Sequence, residues 1–116
     1  MNRIFTVIAV ASALAGCASR PPNLYTWGNY EELVYASHAS PGSVPPEKQI
    51  EILEEDFHKA AAKDERMPPG WHAHLGYLYL QVGKVDAGRR ELQNEKTQYP
   101  ESKVFVDRLL ANLAKN

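Results

Sequence analysis

The chain has 116 residues with 13 basic and 14 acidic side chains, a formal net charge of −1, and a single cysteine. Near-neutral balance without a basic block excludes the electrostatic footprint of a nucleic-acid binder. The lone thiol excludes a disulfide within the chain, so any fold has to be held by its core.

Residues 1–16 read as an export signal and are set aside before fold reasoning. Arg3 gives a positive start. Ile4 to Ala13 is an apolar run too short to remain as a membrane-spanning helix. Leu14-Ala15-Gly16-Cys17 follows directly and resembles the bacterial lipobox, in which small residues admit a signal peptidase and the cysteine thiol carries a diacylglycerol. The competing reading is an ordinary secretory signal with an incidental Cys17. The short apolar run ending at that tetrapeptide disfavours it. The resemblance implies cleavage before Cys17, a thioether-linked lipid there and an amide-linked acyl chain, which together hold a protein on a bilayer where one chain does so only marginally. Ala18, not Asp, follows the cysteine, which resembles lipoproteins passed to the outer membrane. A periplasm-facing outer-membrane location is the expectation. Removing Arg3, the only charged side chain of residues 1–16, takes the formal net charge from −1 to −2.

The mature chain divides into the lipidated cysteine and a tether over residues 17–23, stiffened by Pro21 and Pro22, and a domain over residues 24–116. Residues 24–30, Leu-Tyr-Thr-Trp-Gly-Asn-Tyr, are dense in aromatics. They lead into a helix over residues 31–39, where Tyr30, Leu33, Val34 and His38 share a face. Pro41, Gly42, Pro45 and Pro46 break it. A second helix runs from 46 to about 64, with Ile50, Leu53, Phe57, Ala60 and Ala61 on its apolar face. Met67-Pro68-Pro69-Gly70 ends that unit. A third helix over 71–82 carries Trp71, Leu75, Leu78 and Val82 and stops at Gly83. A fourth over 85–99 closes at Pro100, and a fifth over 102–115 starts near Ser102 as N-cap and buries Phe105, Val106, Leu109, Leu110 and Leu113. No segment alternates with period two, so the expected fold is all-α with about five helices.

Within residues 71–100, Leu75-Gly76, Tyr79, Gly83, Gly88, Leu92 and Pro100 resemble the tetratricopeptide repeat, a hairpin of two antiparallel helices. Gly76 and Gly88 would let the helices approach, and Gly83 would turn the chain between them. Two positions depart from the pattern: His72 stands where the repeat usually has Trp, and Glu95 where it usually has Ala. The resemblance implies a short helical-hairpin array with the last helix as its cap, and a groove lined by Ala73, Tyr77, Leu80 and Gln81. About two repeats are few to bury a continuous core, so the aromatic N-terminal segment is expected to complete it.

A lipobox, then Tyr-Thr-Trp-Gly-Asn-Tyr-Glu over 25–31, then Leu-Gly-Tyr-Leu-Tyr over 75–79 and Gln-Tyr-Pro-Glu-Ser over 98–102, resembles a family of small bacterial lipoproteins known as domain of unknown function 4810. Its members are commonly encoded beside a lipoprotein similar to the curli secretion pore and a second lipoprotein. The resemblance therefore implies a shared cell-envelope assembly with those partners, and it brings no catalytic residue.

Chemistry is sparse. His72 and His74 lie about 200° apart around a helix and cannot chelate one ion together. His58 beside Glu54 and Glu55 is read first as a solvated helix face. Ser37, His38 and Ser40 lack a nucleophile elbow. No cofactor or metal site is expected, and no enzymatic activity. Trp27, Tyr30 and Tyr35 are either core or a recognition surface. The favoured expectation is a non-enzymatic protein-interaction adaptor; the alternative is a small ligand-binding or hydrolytic site near His58 and His72.

Overall fold

The structure, a computed structural model, describes residues 23–115. The segment read from the sequence as an export signal, the lipobox-like tetrapeptide ending at Cys17 and the expected tether as far as Pro22 lie outside the described residues. Among those residues there are five α-helices and no strand: α1 (Tyr30–Ala39), α2 (Pro46–Ala62), α3 (Trp71–Gln81), α4 (Val85–Gln98) and α5 (Lys103–Leu113). The helix bounds agree with the sequence pattern to within one or two residues, the usual fraying margin. No helix among the described residues is long and apolar enough to cross a membrane.

The hairpin of α3 and α4 is the structural centre. Contacts run His72 to Gln98, Gly76 to Leu92 and Leu80 to Gly88, so numbers rise along one helix as they fall along the other. The helices are therefore antiparallel, as a three-residue turn over 82–84 demands. Close approach follows from the two glycines. A Cβ on Gly88 would meet Leu80 Cδ2 at 2.7 Å and the Gly76 carbonyl oxygen at 2.9 Å, and one on Gly76 would meet the Gly88 carbonyl oxygen at 3.0 Å.

Leu33 of α1, Ile50, Leu53 and Ala60 of α2, Met67 of the connection and Trp71, Leu75 and Leu78 of α3 form one buried cluster. Burying a Leu-sized side chain fully contributes roughly 1.5–3 kcal/mol. Leu53 of α2, Leu92 of α4 and Val106 of α5 reach complete burial.

The buried face of α2 differs from the expected one. It consists of Gln49, Ile50, Leu53, Asp56 and Ala60, while Ala61 is exposed and Phe57 is 40 % exposed. Asp56 takes the inward place because its carboxylate is needed there. It accepts the Asn29 backbone N–H at 2.7 Å and the Asn29 side-chain amide at 3.0 and 3.1 Å. Gly28 presses so closely on that carboxylate that a Cβ there would overlap it. An Asp on α2 thus fixes the chain where it enters α1, and the helix rotates to present it. Phe57 is left on the shoulder, stacked on Trp71 with centroids 5.7 Å apart.

In α5, Val106 is the buried residue, Leu109, Leu110 and Leu113 are half-buried and Phe105 is 57 % exposed. Val106 and Phe105 are adjacent on the helix, and only one of them can face α4. Ser102 stands at the N-cap position of this helix, but its side chain makes no capping hydrogen bond. It ends a 3-10 turn, Pro100–Ser102, and its hydroxyl donates to the Tyr99 carbonyl at 2.8 Å. Lys96 of α4 and Lys103 both reach Asp107, at 2.7 and 2.5 Å, and hold its carboxyl below the usual range, Lys103 foremost.

The aromatic N-terminal segment is split between core margin and solvent. Thr26 N–H donates to the Arg66 carbonyl at 2.8 Å, Tyr25 meets Tyr99 edge-on at 6.2 Å, and Tyr30 is half-buried against His74 at 5.8 Å. Trp27 stacks on Tyr30 yet stays 44 % exposed, and Tyr35 is 73 % exposed.

Candidate functional site

Helix α3 separates two clefts. The larger, about 620 Å³, lies between the end of α1, residues 40–45, the start of α2 and α3. Gln49 sets its depth: its amide donates to the Val44 carbonyl at 2.8 Å and pins the loop. Tyr77 and Gln81, one helical turn apart, form the α3 wall, with His74 and Leu78 beside them. Tyr77 is 54 % exposed. Ser37, His38 and Ser40 also line this cleft, and the Ser37 hydroxyl donates back to the Leu33 carbonyl at 2.9 Å.

Two of the four groove positions expected from the sequence thus share the cleft, and two do not. Leu80 points to α4, where it packs over Gly88. Its half-buried side chain belongs to the hairpin seam and not to the expected groove. Ala73 is half-buried and its backbone N–H is taken by Glu95 at 3.2 Å.

The second cleft, about 360 Å³, lies on the other side of α3 and does bring His58 and His72 together, with Glu54, Phe57, Tyr79 and Glu91. The Gln98 amide nitrogen lies 3.0 Å from His72 Nε2. Nδ1 lies 2.7 Å from Glu91 Oε2. His72 is 3 % exposed with both ring nitrogens engaged by α4. It occupies the repeat's usual Trp position as a polar rivet between the two helices. Across the cleft, the Tyr79 hydroxyl donates to Glu54. Burial first, then that bond and the charges of Glu54 and Glu91, push the phenol well above its ordinary range.

Glu91, Gln98 and Gln49 were not singled out from sequence. Glu91 and Gln98 act across a helix pair and Gln49 on the loop before its own helix, relations that a single helical period does not carry. Glu95 was noted only as a departure from the repeat. In the structure it is 2 % exposed and accepts the Gly70 N–H at 2.7 Å. Burial, then the charge of Glu95, raises the Tyr30 hydroxyl above its ordinary value. Among the described residues no group of three or more His, Cys, Asp or Glu could hold a metal ion.

No curated protein and no solved structure matches the chain. A family model does. The one described as a domain of unknown function (DUF4810) matches residues 24–109, from the aromatic segment ahead of α1 to the inner face of α5, and the chain belongs to that family.

Proposed function

We propose that the protein is a lipid-anchored adaptor of the bacterial cell envelope, held by Cys17 to the periplasmic face of the outer membrane, that binds a partner protein without catalysing a reaction. The observation that carries this reading is the α1–α3 cleft with Tyr77 standing 54 % exposed on its wall and Gln81 one turn beyond. A tyrosine offers a large rigid surface with a polar tip, the kind of side chain that anchors protein interfaces. The engagement of both His72 nitrogens favours this reading over a hydrolytic site at His58 and His72. The family resemblance supplies the candidate partners: a lipoprotein similar to the curli secretion pore and the second lipoprotein commonly encoded with it.

The test is recovery of the pore-like lipoprotein with this protein from detergent-solubilised membranes, comparing wild type, Cys17→Ser and Tyr77→Ala. Wild type is expected to incorporate labelled palmitate and Cys17→Ser to lose both label and membrane retention. Tyr77→Ala should keep its helical content and weaken the partner by about 2 kcal/mol, roughly thirtyfold. Leu80 is left intact because it packs on Gly88. Wild type that never takes up palmitate removes the anchor. A folded Tyr77→Ala that recovers its partner in full removes the cleft.

A further inference from the structure

Leu24 and Trp27 are held on one exposed face of the domain. Leu24 is 74 % exposed and Trp27 44 % exposed, and with Asn23 and Lys63 they ring a shallow depression of about 400 Å³. The segment carrying them is tied down. Thr26 N–H donates to the Arg66 carbonyl at 2.8 Å, the Thr26 hydroxyl donates to Glu65, and Trp27 stacks on Tyr30 at 6.3 Å. A fixed pair of large apolar side chains at one edge of the domain offers a surface that an apolar partner can cover.

We propose that this partner is the bilayer itself: Leu24 and Trp27 seat in the boundary between headgroups and acyl chains of the membrane that carries the lipid on Cys17. The inference rests on the anchor proposed above. Leu24 is seven residues beyond Cys17, and seven residues span at most about 25 Å when fully extended. The face at the end of that leash is therefore the part of the domain kept nearest the membrane. Attachment converts weak contact into an intramolecular event, with effective concentrations on the order of millimolar. An indole suits this depth, since its ring is apolar and its N–H remains within reach of headgroup oxygens. The surrounding charges of the domain do not supply the attraction. Lys63 and Arg66 are matched in number by Asp64 and Glu65, and Glu31 and Glu32 add two acids in the first turn of α1. The contact is apolar, and added salt should leave it unchanged.

Full-length lipidated protein reconstituted into vesicles of phosphatidylethanolamine and phosphatidylglycerol, doped with a phospholipid brominated near the top of its acyl chains, tests this. Trp71, 1 % exposed inside the core, is an unquenched internal reference, because bromine quenches only on contact. Wild-type emission should be quenched in brominated vesicles. Trp27→Phe should abolish the quenching, Leu24→Ser should reduce it, and both variants should keep wild-type helical content. High salt should leave wild-type quenching in place. Flotation of the same samples reads the anchor separately. Protein that floats with unquenched Trp27 overturns the docking and leaves the anchor standing, whereas protein that fails to float overturns the anchor and the docking with it.

Discussion

Glu95 reaches from the last turn of the hairpin's second helix to the start of its first, where its carboxylate accepts the Gly70 N–H through Oε1 and the Ala73 N–H through Oε2. The first turn of a helix has N–H groups without intrahelical acceptors and a partial positive charge, so a buried carboxylate there is stabilised by the groups it stabilises. Gly70 supplies the geometry. It sits at φ +90°, and a Cβ on it would come within 2.8 Å of the Tyr30 hydroxyl. An acid at a position where the repeat pattern has alanine is therefore a cap delivered from a neighbouring helix.

Glu95→Ala restores the repeat's usual residue and should nonetheless destabilise the protein. It leaves two backbone donors without their acceptor in a dry site, at a cost of about 2–3 kcal/mol. Glu95→Gln keeps one good acceptor oxygen and should lose about half as much. Urea melts of the purified protein measure both. An alanine variant as stable as wild type would mean that water replaces the carboxylate at no cost.

Gly76 and Gly88 set the distance between α3 and α4. Alanine gains about 1 kcal/mol of helix propensity over glycine, which opposes the crowding of a single methyl group. Leucine has no such balance. Gly88→Leu would drive its side chain into Leu80, and both it and Gly76→Leu should lower stability by roughly 1–3 kcal/mol. Unchanged urea midpoints for both leucine variants would show that the helices separate freely, contrary to the packing described.

The fold was legible where one helix's periodicity carried it. Prolines at 41, 45, 46 and 100 and glycines at 70 and 83 bound the helices, and the period of 3.6 placed Leu53, Leu75, Leu78 and Val106 inward. It failed where the inward residue is polar. Asp56 and Phe57 are neighbours, and hydrophobicity assigns Phe57 to the core; the need of Asn29 for an acceptor assigns Asp56. Leu80 shows the same limit from the other side. Its position on α3 alone leaves it off the apolar stripe, and only the bare surface of Gly88 on the partner helix gives it a place to pack. Of the four groove positions that the repeat resemblance implied, Tyr77 and Gln81 line one cleft because a spacing of four keeps them on one helix face, while the facing wall over residues 40–45 has no helical period to read.

His74 gives the molecule a pH dependence whose sign follows from its surroundings. Its ring lies edge-on to Tyr30, and its Nε2 is sealed from solvent without a hydrogen-bond partner. Burial, and secondarily the charge of His38, lowers its pKa below the ordinary 6.5. The unfolded chain therefore takes up a proton at this residue before the folded one does. Stability from this source is complete above pH 6.5, falls as pH drops below it, and stops falling once the folded protein also binds the proton. Asp107 contributes elsewhere, because its lowered pKa places its loss at more acid pH than the histidine window. Urea midpoints measured between about pH 7.5 and 5.5 should thus decline in wild type and decline less in His74→Asn. His38→Gln is the finer probe: it removes one of the two causes without touching the buried ring, so it should shrink the decline while leaving stability at neutral pH unchanged. A slope identical in all three proteins would mean that His74 is protonated as easily in the fold as out of it, and that its sealed nitrogen opens to water without cost.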